Sequence, residues 1–259
     1  MIDAVKLHRP AARRRAGLFL AEGPNLVEAA LRSGAVERVF ATEAAAERFA
    51  GLLVDAPIHL VTERAAKALS DTVTPVGLVA ECRSIAARWP QIVALSPRFV
   101  VVAVDISEPG NAGTLIRVAD AMGADAVVLA GNSVDPFNGK SLRASAGSIF
   151  NIPVVPEGDA SWIAADLTAR GGAVLATTLD GELSLDDADP VLAGACAWIF
   201  GNEAHGLDSA TAALATHRIS IPMRGGAESL NLASAASICL YATARMHRGQ
   251  WPPVLSDKP

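Results

Sequence analysis

FVVVAVDISEPGNAGTLIRVADAMGADAVVLAG, residues 99–131, decides the fold class. The apolar run from Phe99 to Val104 has the length of a strand and no polar alternation, so it reads as buried on both faces. A polar loop follows, Ser107-Glu108-Pro109-Gly110-Asn111-Ala112-Gly113. Then come the helical stretch TLIRVADAMG and a second apolar run, DAVVLAG. Strand, glycine-rich loop, helix and strand make one βαβ unit, which implies a parallel sheet flanked by helices. The alternation continues: SLRASAGSIF predicts a helix, NIPVV a strand, SWIAADLTARG a helix, and AVLATTL, CAWIFGN and HRISIPM strands. Residues 230–247 predict the final helix, and the acidic stretch 180–189 reads as a solvated loop.

Upstream the pattern is smaller. In residues 17–34, Leu26, Val27, Ala30 and Leu31 recur at helical spacing and Ser33-Gly34 supplies the stop. VERVFAT, PIHLV and VGLVAEC predict strands, while TEAAAERFAGLL and TERAAKALS predict helices. The chain thus divides into a small α/β domain, residues 1–95, and a larger, mostly parallel α/β domain, residues 96–259. Two prolines and a loss of periodicity mark 84–97 as the linker.

The 259 residues are 51% hydrophobic, with a mean hydropathy of +0.32, which excludes a disordered chain. Cys82, Cys196 and Cys239 are too dispersed for a zinc site or a disulfide framework, so a reduced, cytoplasmic protein is expected. No apolar run approaches the ~18 residues of a membrane span, and no metal site is expected. Net charge is −5, unevenly placed: residues 1–95 carry 12 basic and 10 acidic side chains, residues 96–259 carry 10 and 17. Lys6, Arg9, Arg13, Arg14 and Arg15 form a compact basic segment with His8. Either it is a solvated helix face or it contacts phosphates, for which the arginine fork is suited.

The loop after the first strand lacks the GxGxxG order of a dinucleotide site, and Gly139-Lys140-Ser141 lacks a Walker cradle. It delivers Asn111 and, about one and a half helical turns later, Arg117. Two further polar loops end strands: Phe200-Gly201-Asn202-Glu203-Ala204-His205-Gly206-Leu207, and Ile221-Pro222-Met223 leading to Glu228-Ser229-Leu230-Asn231. Ser229 alone could be a helix N-cap. Three such loops at strand ends, where open α/β sheets bind ligands, point to a site.

These three loops, in this order, resemble the motifs of the SpoU/TrmH branch of the SPOUT class of RNA methyltransferases. The resemblance covers about 99–247, with Lys140–Gly147 matching the segment between the first two motifs. Residues 1–95 resemble an L30e-like substrate-binding domain through Phe19-Leu20-Ala21-Glu22-Gly23 and Leu69-Ser70-Asp71-Thr72-Val73-Thr74-Pro75-Val76-Gly77. One departure is Ala204, where many relatives carry glycine.

The resemblance implies an α/β-knot fold with a C-terminal trefoil knot, a homodimer formed through the catalytic domain, and S-adenosylmethionine as cofactor. The methyl would go to a ribose 2′-hydroxyl of RNA, with 23S rRNA expected ahead of tRNA. It implies catalytic roles for Asn111, Arg117, Glu203, Ser229 and Asn231. Cofactor contacts are expected from Phe200, Gly201, Asn202, Gly206, Ile221, Met223 and Leu230. Lys140 and Arg143 would join Lys6, Arg9, Arg13, Arg14 and Arg15 on the RNA. An arginine stays protonated, so Arg117 is expected to orient the hydroxyl and stabilise developing oxyanion charge. His205 reads as loop surface or as a residue behind the site, and not as the base. A non-catalytic RNA-binding module and a nucleotide-dependent oxidoreductase are the rival classes, and cofactor binding separates them.

Overall fold

Two sheets share one hydrophobic core in the computed structural model, which describes residues 2–247; the tail of the expected 96–259 domain lies outside the described residues. The first sheet contains β1 (Leu18–Glu22), β2 (Val36–Ala41), β3 (Ile58–Leu60) and β4 (Leu78–Arg83) in the order β1-β4-β2-β3. Strand β4 is antiparallel to β1 and β2, and β2 is parallel to β3. Residues 17–34 therefore split into β1 and a helix, Pro24–Ser33. Helical spacing does not reveal β1, because Phe19, Leu20 and Ala21 are all buried and give it no alternation.

The second sheet is parallel throughout and contains β5 (Phe99–Val104), β6 (Ala126–Ala130), β7 (Val154–Gly158), β8 (Ala173–Thr177), β9 (Leu183–Ser184), β10 (Cys196–Phe200) and β11 (His217–Ser220). Their order is β7-β6-β5-β10-β8-β11-β9. Every residue of β5, β6 and β10 is buried, as continuous apolar runs require. Part of the acidic stretch 180–189 is not a solvated loop: it supplies β9 and buries Leu185, whose apolar side chain is masked in sequence by the surrounding acids. Among the described residues no helix is long and apolar enough to cross a membrane.

Phe19 of β1 meets Phe137 at 4.9 Å and Phe150 at 6.0 Å between ring centroids, so the small sheet is docked through aromatic packing on the segments flanking helix Gly139–Ser145 of the larger unit. Trp198 and Phe200 stack at 5.9 Å under the final helix, Leu232–Met246, and the Trp198 indole donates to the Thr243 hydroxyl at 2.8 Å. That helix is thereby fixed above the strand whose end forms the second motif loop.

Candidate functional site

Helix Pro109–Ala121 begins earlier than its sequence suggests. Pro109 occupies the first helical position, where its missing N–H costs nothing, and the Glu108 carboxylate caps the Gly110 N–H. The glycine-rich "loop" is thus a helical first turn, with Asn111 presented from it. The turn leading there is strained: Asp105, just past β5, has φ 55°, and its carbonyl accepts from the Asn202 amide at 2.7 Å.

Glu203 joins the loops. Its carboxylate accepts from the Asn111 amide at 3.0 Å, from the Glu108 N–H at 3.3 Å, and from the Ser107 N–H and hydroxyl at 3.4 Å each. Burial raises its pKa, but the hydrogen bonds from Asn111 and backbone N–H groups outweigh that and hold it below 4.5. Asn111 in turn accepts from the Asn231 amide at 3.2 Å. Asn231 also caps the final helix, its carbonyl oxygen accepting from Ala233 and Ser234. The N-cap is therefore Asn231, and Ser229 is left exposed on the cleft lining.

Arg117 is exposed and makes no hydrogen bond or ion pair among the described residues. The arrangement brings Asn111, Glu203 and Asn231 together, with Ser229 nearby, and leaves Arg117 free to meet a ligand.

A cleft of about 780 Å³ opens beside this network. All seven expected cofactor residues border it: Phe200, Gly201, Asn202, Gly206, Ile221, Met223 and Leu230. Phe200 is fully buried behind the cleft wall, its ring stacked on Trp198. A Cβ on Gly201 would overlap the Gly206 backbone, so only glycine lets the loop close on itself through the Asn202–Gly206 bridge. Sequence reading passed over Thr177, Thr178, Leu179 and Asp180, which also line the cleft. Their signal was available in the two hydroxyls that end the strand AVLATTL. The Thr178 hydroxyl is buried in the cleft wall and has no hydrogen-bond partner among the described residues. Apolar walls, backbone groups at a tight glycine loop and this unsatisfied hydroxyl fit an adenosyl cofactor.

The basic residues are not one patch. Arg13 is 7% exposed, and its guanidinium is consumed by Asp135 (Nε–Oδ2 2.9 Å) and the carbonyls of Leu7 and His8. It is an internal staple and leaves the phosphate-contacting set. Lys6 pairs with Asp3, Lys140 with Glu108, and Arg143 with Asp71. Arg9, Arg14 and Arg15 lie on the surface, Arg14 with a partner of its own. Burial pushes the Cys82 and Cys196 thiols up to about 12, which makes them inert core residues.

Comparison with known proteins gives a consistent picture. Residues 98–241 match the SpoU rRNA Methylase family, and residues 3–80 match the MRM3-like substrate binding domain. The chain is 35% identical over 239 residues to the 23S rRNA (guanosine(2553)-2′-O)-methyltransferase RlmP of Bacillus subtilis, covering 92% of this chain and 93% of that one. It is 30% identical to an uncharacterised tRNA/rRNA methyltransferase of Synechocystis, covering 95% and 89%. The SpoU methyltransferase AviRb of Streptomyces viridochromogenes, solved in complex with AdoMet, superimposes with a TM-score of 0.83 at 28% identity, covering 96% and 98%. An AdoMet-bound rRNA methyltransferase of Sinorhizobium meliloti gives 0.80 at 28%, covering 97% and 95%.

Proposed function

This chain belongs to the SpoU rRNA methylase family, and on that premise we propose that it methylates 23S rRNA. The activity is S-adenosylmethionine-dependent transfer of a methyl group to a ribose 2′-hydroxyl of RNA, on an α/β-knot fold. The choice of 23S rRNA is supported by the substrate named for RlmP, a relative aligned over nearly its full length, and by the N-terminal match to a substrate-binding domain. The observation that carries the site assignment is the hydrogen-bonded line Glu203–Asn111–Asn231, which ties three motif loops together at one cleft.

Bound in the cleft, the cofactor supplies an activated sulfonium methyl; placement and charge are left to the protein. Gly201, Asn202, Gly206, Ile221, Met223 and Leu230 would hold it, with the Thr178 hydroxyl in the wall as a hydrogen-bonding group that it could engage. Glu203 is fully engaged in holding Ser107 to Asn111, so it positions the first motif and does not act as a base. Arg117, a cation without an ion pair among the described residues, orients the 2′-hydroxyl or its flanking phosphate and stabilises the developing oxyanion while the hydroxyl proton passes to solvent water. Ser229 contacts the same nucleotide. Arg9, Arg14 and Arg15 bind phosphates. We assign residues 1–95 and 96–259 as the substrate-binding and catalytic domains, and we place a homodimer contact on the outer face of helix Leu232–Met246, where Ile238 and Tyr241 are exposed.

Radiolabelled methyl transfer to purified 23S rRNA and to bulk tRNA tests the substrate. Label in 23S rRNA at a ribose 2′-oxygen is expected; label in tRNA alone overturns the choice.

A further inference from the structure

Two N-terminal motifs, Phe19–Gly23 and Leu69–Gly77, meet at the seam between the sheets. Glu22, at the end of β1, has a side chain only 9% exposed. Its carboxylate accepts from the Ser70 hydroxyl, from the Thr72 hydroxyl at 2.7 Å and from the Asp71 N–H at 3.3 Å. One buried carboxylate thus fixes the start of loop 70–77. The Asp71 side chain crosses the seam to pair with Arg143 of helix Gly139–Ser145, and Glu22 faces the same guanidinium at 3.9 Å. Asp71 also lies against Gly139 so closely that a Cβ there would overlap its carboxylate.

The other side of this short helix touches the catalytic machinery. The Ser141 hydroxyl donates to the Pro109 carbonyl at 3.0 Å, and Lys140 pairs with Glu108. Glu108 and Pro109 open the helix that presents Asn111. A continuous series of polar contacts therefore runs from Glu22 through Asp71, Arg143 and helix Gly139–Ser145 to the first motif. The Phe19–Phe137 contact and the Arg13–Asp135 pair hold the same two sheets elsewhere along the seam.

We propose that Asp71 and Arg143 are positioning residues that set the register between the substrate-binding segment and the catalytic helix. Arg143 then serves as an interdomain clamp and not as a phosphate contact. The inference rests on the RNA-methylation reading. RNA gripped by one sheet unit reacts with a methyl held by the other only if the two are aligned to a fraction of an ångström. A guanidinium shared by two carboxylates, one of them immobilised by hydroxyls, resists rotation at that seam.

The test measures single-turnover methyl transfer at saturating RNA and cofactor for Asp71→Ala, Arg143→Ala, their double variant and Arg143→Lys. Amide hydrogen exchange on the same proteins without RNA accompanies it. Each alanine variant is expected to be about tenfold slower, and the double variant no slower than the worse single, because one contact is lost in all three. Arg143→Lys, which keeps the charge without the fork, should fall between. Cofactor affinity and the salt dependence of RNA binding should not move. Exchange should rise together in 70–77, 139–145 and 109–111. Rates within twofold of the parent, multiplicative losses, or a shallower salt dependence in Arg143→Ala would each overturn the clamp, the last by making Arg143 a phosphate ligand. If the parent methylates no RNA, the methylation reading fails separately. The exchange pattern then decides the linkage, and a rise confined to 70–77 refutes it.

Discussion

Asn111 donates to the Glu203 carboxylate at 3.0 Å across 92 residues of sequence, and this bond locks the first motif to the second. Replacing Glu203 by Gln removes the charge that gathers four hydrogen bonds and turns an N–H donor toward other donors. Cofactor affinity should fall about tenfold, near 1.4 kcal/mol, with a further loss in turnover as Asn111 drifts. Titration calorimetry with S-adenosylhomocysteine reads the first effect; unchanged affinity and rate would show that the carboxylate organises nothing.

The same carboxylate fixes the direction of a pH effect. Its pKa is lowered in the folded protein, so the loop gains stability above the ordinary carboxylate value and loses it only as pH falls through the depressed one. Cofactor affinity should hold level from neutral pH down through 4.5 and weaken below it. In Glu203→Gln this acid limb should vanish. A decline that starts above pH 6 in the parent would point to another group.

Arg117→Ala should leave the fold and cofactor affinity near normal, because the side chain is exposed and makes no hydrogen bond or ion pair among the described residues. Turnover at saturating RNA should nevertheless drop by roughly 100-fold, as expected for a contact made mainly in the transition state. Single-turnover rates decide the point, and a change within threefold would remove Arg117 from the catalytic set.

The parallel sheet and its three motif loops were legible because buried strands leave unbroken apolar runs and the loops between them break those runs with polar residues. Pairwise chemistry was not. Nothing in the spacing of Pro109 to Gly113 separates a loop from a helical first turn; Glu108 and Pro109 decide it by capping. Ser229 and Asn231 are equally good N-caps by residue type, and only the turn of the chain gives the cap to Asn231. Arg13, Arg14 and Arg15 look equivalent in sequence, yet helix Pro10–Ala16 aims Arg13 into the protein, where Asp135, 122 residues away, receives it.

That difference predicts opposite phenotypes for neighbouring arginines. Arg13→Ala breaks a buried pair and strands Asp135, which should cost about 3 kcal/mol and lower the melting temperature by roughly 5–10 °C. The salt dependence of RNA binding should be unchanged. Arg15→Ala should leave the melting temperature alone and reduce the salt slope by nearly one counterion. Thermal melts and RNA titrations at several salt concentrations distinguish the two, and equal behaviour of the variants would return Arg13 to the phosphate-binding group.

Helix Leu232–Met246 leaves a stripe of Asn231, Ser234, Ile238, Tyr241 and Arg245 exposed at three- and four-residue intervals, while its opposite face is buried against Trp198. Ile238 is 42% and Tyr241 54% exposed, an aliphatic and an aromatic side chain side by side on a helix that starts at the cleft. Aromatic anchors of this kind are enriched at protein interfaces, and a twofold axis across the stripe would cover both pairs at once. The 26.7 kDa chain should therefore sediment as a particle of about 53 kDa at micromolar concentration. The double substitution Ile238→Glu, Tyr241→Glu places like charges across the axis without touching the buried face. It should give a folded monomer with an unchanged circular dichroism spectrum. A parent that sediments at the single-chain mass, or a double variant that still dimerises, would put the contact elsewhere.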